Sequence, residues 1–347
     1  MKKYSINADI IRILAGLAVV FIHITDAFLL YPPYYGVRDA SWMLLSIINV
    51  ASRISVPLFI MLSGYLLLDT DKGLNIQSFY RRRLVRVFIP LIFWVTVFFI
   101  WESMTGVQLS VFKIFTEIIA LRIDHLYFLV IILELYFLTP MFLIFFKSTR
   151  RLVHTIFFVS TLIFTISLHL INLFVLKAKV DTTINILVVF MPYVAYYIGG
   201  YYLRNIKLSS PFALILKIIF IATVFITVFS SNEVLINTHL LFFDSPNIIL
   251  MSFIIFMLLI NNERSKKISI QGIVGKSIKN VAGTIFGIYL VHIFIIHILD
   301  NYFSLKPGLV GSPMWLYVGY KYIIVFGISY LIVRIGKKIP YVRMIFG

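Results

Sequence analysis

Two ionisable side chains in the first apolar stretch of the sequence have the types and the spacing needed for chemistry. Arg12 and His23 bound the segment RILAGLAVVFIH and are eleven residues apart. On a helix, two residues that are eleven positions apart point in directions that differ by only ~20° about the axis. Both side chains are therefore expected on one face, roughly 16 Å apart along the axis. A neutral imidazole is a suitable general base for a hydroxyl proton. The alternative is structural: His23 hydrogen-bonds between helices while Arg12 reaches back to the polar end of its helix.

Later apolar stretches carry further ionisable residues. Arg53 lies deep in the second stretch and needs an anionic or dipolar partner, for which Glu134 is one option. Glu134 is otherwise a group that can take up a proton. His292 is open to a catalytic interpretation, although a lone buried histidine more often hydrogen-bonds between helices, and His125 is expected at the outer mouth of the helix that carries Glu134. No ligand-spacing motif joins these histidines to His23, so no metal is expected.

A basic cluster, RRRLVR, occupies residues 81–86. Arginine offers a bidentate fork to phosphate, so Arg81, Arg83 and Arg86 are candidates for binding a nucleotide-bearing donor. Membrane topology or anionic lipid explains the same charges equally well. Composition leaves these two interpretations open.

The elements that must position these residues are membrane-spanning helices. Hydrophobic residues make up 61% of the chain and charged residues 13%, which is far from the composition of a soluble domain. Apolar runs of bilayer length recur, and we expect an all-α, polytopic fold of about ten spans. The spans are predicted at 8–30, 42–68, 84–101, 126–146, 152–176, 184–203, 212–229, 246–260, 281–299 and 315–334. Pro57 and the pair Ser63–Gly64 favour a kink and a close helix approach in the second span.

The net charge of +17 follows the membrane and does not indicate nucleic acid binding. Basic residues concentrate in every second segment between spans, which by the positive-inside rule places both termini in the cytoplasm. These segments carry Lys2, Lys3, Lys72, Arg81, Arg82, Arg83, Arg86, Lys147, Arg150, Arg151, Arg204, Lys207, Arg264, Lys266, Lys267, Lys276, Lys279, Arg334, Lys337, Lys338 and Arg343. Because the polar interruptions are short, residues 1–347 are expected to form a single transmembrane domain without a separate soluble domain. The segment 109–122 is either an interfacial helix or a loop. The chain has no cysteine, which excludes disulfides and thiolate catalysis.

Five motifs, in order along the chain, resemble membrane acyltransferase family 3, and more closely its branch with the O-acetyltransferase of enterobacterial common antigen. The motifs are DIIRILAGLAVVFIH at 9–23, which includes Asp9; NVASRISVPLFIMLSGY at 49–65, which includes Asn49 and Ser63; RRLVR at 82–86; HLYFL at 125–129, followed by LTP at 138–140; and GIYLVH at 287–292, which includes Tyr289. Tyr127 stands where the family has tryptophan. Each motif alone is weak, whereas five in order are specific.

The resemblance implies that Arg12 and His23 are the catalytic pair and that Arg83 and Arg86 hold acyl-CoA. The implied reaction moves an acyl group, acetyl or another, from cytoplasmic acetyl-CoA or other acyl-CoA to a hydroxyl of an extracytoplasmic or lipid-linked glycan, in the bacterial cytoplasmic membrane. His23 would deprotonate the hydroxyl, and Arg53 or Arg12 would stabilise the oxyanion. The rival hypothesis is a transporter or flippase of a lipid-linked sugar, and a homo-oligomer is an open alternative.

Overall fold

The structure is a computed structural model and describes residues 5–29, 39–68, 75–104, 110, 114, 117, 123–171, 173–174, 182–230, 239–262, 268–269, 271–302 and 313–347. Within these residues the chain forms helices and no strand. The α-helices are α1 (Ile6–Leu29), α2 (Ala40–Ser52), α3 (Ser55–Leu67), α4 (Ile76–Met104), α5 (Tyr127–Ser148), α6 (Arg151–Ile171), α7 (Thr182–Tyr202), α8 (Ser210–Ser230), α9 (Pro246–Ile260), α10 (Ile273–Tyr302) and α11 (Met314–Gly336). Short 3-10 turns lie at Asp124–Leu126, Leu203–Asn205, His239–Leu241 and Val342–Phe346.

A helix covers each of the ten predicted spans. Eight stretches in the described part of the chain are long and apolar enough to cross a membrane, with α2 and α3 together making one of them. The other two predicted spans correspond to α7 and to α9, which is shorter. The chain is therefore an all-helical, multi-pass membrane protein, as predicted. The number of spans and the side of each terminus stay predictions, and most of the segment 109–122 lies outside the described residues.

The second span is broken where its sequence favoured a kink. Helix α2 ends at Ser52, α3 begins at Ser55, and a turn at Arg53 and Ile54 separates them. Pro57 has no N–H to donate to the carbonyl of Arg53, four residues earlier, and its ring crowds that carbonyl. The break places Arg53 at the end of α2, inside the span.

The described chain divides into two compact units. The first unit comprises Met1–Leu62 and Leu203–Ile332, and in it α1 packs against α2, α9 and α10. In the most apolar window of α1, 61% of residues are buried, and in that of α10 72%. A carbon atom added to Gly16 on α1 would come within 2.5 Å of Ile285 on α10, so the glycine permits this close approach. These two helices carry Arg12, His23 and His292.

The second unit comprises Ser63–Tyr202 and Val333–Gly347. In it α4 packs against α5 and against the 3-10 turn near the end of the chain, and α6 packs against α7. The backbone of Gly64 lies against the carbonyl of Tyr197, leaving no space for a side chain. The close helix approach predicted at Ser63–Gly64 is therefore present. The expectation of one transmembrane domain stays a prediction.

Candidate active site

Helix α1 is unbroken from Ile6 to Leu29 and carries both Arg12 and His23. Arg12 forms an ion pair with Asp9, one turn earlier on the same helix, and 30% of its side chain stays exposed. Asp9 itself is buried, so its carboxylate holds the guanidinium near the start of α1. His23 is half-buried, three turns further along the helix.

Arg53 belongs to a hydrogen-bonded network at the other end of α1. Its Nη2 donates to Asp26 Oδ1 at 2.5 Å, and its Nε donates to Asn49 Oδ1 at 3.2 Å. Asn49 is 1% exposed, and its Nδ2 donates to Asp26 Oδ1 at 2.8 Å and to Thr25 Oγ1 at 2.7 Å. Both partners of the ion pair keep some access, with 11% of the Arg53 side chain and 24% of the Asp26 side chain exposed.

Asp26 is the residue that sequence reasoning missed. It takes the place suggested for Glu134 as the carboxylate partner of Arg53. The available signal was its position, three residues after His23 in an otherwise apolar helix, which puts both side chains on neighbouring faces. An acidic residue near the end of a span is also typical of the boundary with a loop. Only the position of α2 shows that Asp26 pairs with Arg53.

His23 and His292 lie side by side. Their ring centroids are 5.2 Å apart, with the planes tilted by 56°. His292 is fully buried, and its Nδ1 is 2.7 Å from the carbonyl oxygen of Tyr289. A carbonyl can only accept, so Nδ1 carries the hydrogen and a neutral His292 keeps its lone pair on Nε2. Tyr289 packs edge-on against Phe59 at 6.4 Å between centroids.

The second unit carries the basic cluster of α4. Arg83 is half-buried, with its guanidinium 5.5 Å from the centroid of Tyr136 and 5.9 Å from that of Phe79. Such cation–π contacts fix the orientation of a guanidinium and leave its edge for other partners. Arg81 and Arg86 are exposed. The predicted basic cluster therefore combines one oriented arginine, Arg83, with three exposed arginines, Arg81, Arg82 and Arg86.

The remaining predicted residues of this unit lie on or beside α3 and α5. His125 is 1% exposed and lies in the 3-10 turn that precedes α5. Glu134 is half-buried in α5, and its Oε2 has no hydrogen-bond partner among the described residues. Ser63 is half-buried on α3, directly before Gly64. The roles of these three residues stay predictions.

The arrangement in the first unit can take a proton from a hydroxyl. An imidazole with partial access lies beside a second, buried imidazole on the inner helices. Arg53 supplies a positive charge, and of its five N–H donors the described residues use only two, which serve Asp26 and Asn49. No cluster of three or more histidine or acidic side chains suited to a metal ion occurs among the described residues, and the expectation of no metal stays a prediction.

Fold and site together define a multi-pass membrane protein that holds two neighbouring imidazoles and an arginine–aspartate ion pair among its helices. The family model described as "Acyltransferase domain" matches residues 5–334. The chain belongs to this family, membrane acyltransferase family 3, and is a membrane acyltransferase. Comparison with curated proteins and with solved structures finds no match. The family membership confirms the class of enzyme and gives no support to a transporter or flippase.

Proposed function

We propose that this acyltransferase is an O-acyltransferase that transfers acetyl from cytoplasmic acetyl-CoA to a hydroxyl of an extracytoplasmic or lipid-linked glycan, in the branch of the family with the O-acetyltransferase of enterobacterial common antigen. Its proposed location is the bacterial cytoplasmic membrane, with both termini in the cytoplasm. The observation that carries the proposal is the partly accessible His23 imidazole beside His292, on the helix that also carries Arg12. Hydroxyl acylation requires a base placed away from bulk water.

In the proposed reaction, His23 takes the proton of the acceptor hydroxyl while the hydroxyl oxygen attacks the carbonyl carbon of the thioester. The carbonyl oxygen becomes an oxyanion, and the N–H donors of Arg53 that Asp26 and Asn49 leave unused can stabilise it. Such donors are commonly worth about 3 kcal/mol in the transition state. The intermediate then breaks its carbon–sulfur bond, the thiolate receives the proton from His23, and an ester and free CoA result. Arg12 is the alternative donor to the oxyanion.

The donor is proposed to bind through its nucleotide phosphates to Arg81, Arg83 and Arg86. Two of these arginines are exposed, and the third is oriented by Tyr136 and Phe79. A partly satisfied guanidinium edge is a suitable bidentate partner for phosphate. This part of the proposal places the nucleotide in the cytoplasm, where CoA is available.

Mass spectrometry of the surface glycan in cells with and without this protein tests the proposal. We expect one additional acetyl unit per modified sugar in cells that carry the wild-type protein. The unit should be absent with His23→Ala and present with His169→Ala, a control that removes another buried imidazole. A glycan whose mass does not depend on the protein would overturn the proposed acceptor.

A further inference from the structure

The end of the chain returns to α4. Phe346 is 4% exposed, its ring lies 6.0 Å from that of Trp94, and it covers Gly336 so closely that the glycine has no space for a side chain. Trp94 Nε1 donates to the carbonyl of Ile345 at 2.8 Å. The segment 337–347, which we call the tail, is therefore docked on α4 by both apolar and polar contacts.

The tail makes a tight turn to reach this position. Tyr341 has φ 65° and ψ −46°, and it is the one non-glycine residue with positive φ in the described part of the chain. The N–H of Val342 donates to the carbonyl of Pro340 at 2.8 Å, which closes a γ-turn. A non-glycine residue in this conformation is strained, so the docking contacts of the tail must hold it. Strain of this kind is typical of functional segments.

The docked tail holds a lysine near α4, the helix that carries the basic cluster. Lys337 is half-buried, and its Nζ donates to the main-chain oxygen of Gly347 at 3.1 Å. Burial lowers the pKa of the Lys337 amine, and the positive charge of Arg86 lowers it further. Trp94, which the tail contacts, lies about two turns after Arg86 on α4. The tail that holds Lys337 therefore packs on the helix that carries Arg86. An anion held by both groups would relieve this repulsion.

We propose that the tail is part of the donor-binding surface, and that Lys337 and Arg86 together bind a phosphate of the nucleotide end of the acyl donor. The inference rests on the proposed function, because it takes acyl-CoA as the donor. Phosphate is also the group that a lipid headgroup would present at this position, so the experiment must separate the two sources. The tail acts by keeping Lys337 in place, and Lys337 contacts the ligand.

The test is isothermal titration calorimetry, which measures the affinity of CoA and of 3′,5′-ADP for the protein. The protein is held in nanodiscs of phosphatidylcholine, which has no net charge. One charge-assisted contact is worth about tenfold or more in affinity. We therefore expect Lys337→Met to weaken both ligands by about tenfold, and Lys337→Arg to bind them like wild type. Lys147→Met, which removes an exposed positive charge of the same unit, is the matched control and should leave affinity unchanged.

A second variant tests the tail without changing its charge. Phe346→Ala removes the ring that covers Gly336 and contacts Trp94, and we expect it to weaken CoA binding to a similar degree. If Lys337→Met and Phe346→Ala both bind CoA with wild-type affinity, the inference is wrong. Loss of phosphatidylglycerol binding in Lys337→Met, with CoA affinity intact, would also overturn it and assign the phosphate to lipid. A wild-type protein that binds no CoA would instead refute the proposed donor itself.

Discussion

The ion pair between Asp26 and Arg53 offers a quantitative test of the inner network. Asp26→Asn keeps the shape of the side chain and one acceptor oxygen, removes the charge and replaces the second oxygen by an NH2 group. Two unit charges about 4 Å apart interact by about 4 kcal/mol at an effective dielectric constant of ~20. Because 11% of the Arg53 side chain and 24% of the Asp26 side chain are exposed, we expect a coupling free energy nearer ~2 kcal/mol.

A double-mutant cycle measures this coupling. Asp26→Asn, Arg53→Met and the double variant are unfolded reversibly with SDS in mixed micelles, and the free energies of unfolding are compared. We expect each single variant to lose about 2 to 3 kcal/mol and the double variant to lose less than the sum by ~2 kcal/mol. Asp244→Asn, outside the network, is the control for removal of an acidic residue. Additive single effects, with a coupling below ~0.5 kcal/mol, would refute the view that the two charges stabilise each other.

Further predictions concern the helix contact, the second histidine and the pH dependence of donor binding. Gly64→Ala should lower the free energy of unfolding by about 1 to 3 kcal/mol because the added methyl group meets the Tyr197 carbonyl. Gly319→Ala, with open space around the glycine, should leave the free energy of unfolding unchanged. Equal effects of the two substitutions in SDS unfolding would contradict this prediction. His292→Phe should reduce acetyl transfer about tenfold or more with little change in KM for the donor, whereas unchanged kcat would remove His292 from the proposed site. Because the pKa of Lys337 is lowered, its charge is lost at a lower pH than that of an exposed lysine. Affinity for 3′,5′-ADP should therefore fall as pH rises from ~7 to ~10 in the wild-type protein and stay level in Lys337→Arg. The same dependence of affinity on pH in both proteins would contradict this prediction.

Much of the fold follows from local properties of the sequence. Apolar runs of bilayer length predict the helices, since a buried backbone must satisfy its own hydrogen bonds. The break after Ser52 also has a local cause, because Pro57 withholds a donor from the carbonyl of Arg53. The predicted spans therefore coincide with helices even where the ends differ by several residues.

The site could be predicted only in part, because its pairings depend on which helices pack together. The spacing of Arg12 and His23 is a property of one helix and is visible in the sequence. The contact of His23 with His292 instead requires α1 and α10 to approach at Gly16, and the role of Asp26 requires Asn49 and Arg53 to come from α2. No local pattern encodes such distant pairs.

The sequence alone does not predict the docking of the tail on α4 either. Phe346 follows no helical period, and its burial depends on Trp94, some 250 residues earlier. Lys337 in turn looks like one more basic residue that orients the chain in the membrane. Its place near α4, the helix that carries Arg86, emerges only once the tail packs on Trp94.

His23 is the proposed base of the transfer reaction. The most direct measurement is the transfer of radiolabelled acetyl from acetyl-CoA to a glycan acceptor by purified protein in liposomes. We expect His23→Ala to lower the rate by about 10²- to 10⁴-fold while CoA still binds with wild-type affinity, and His169→Ala to keep the wild-type rate. Label transfer by His23→Ala at the wild-type rate would contradict this proposal.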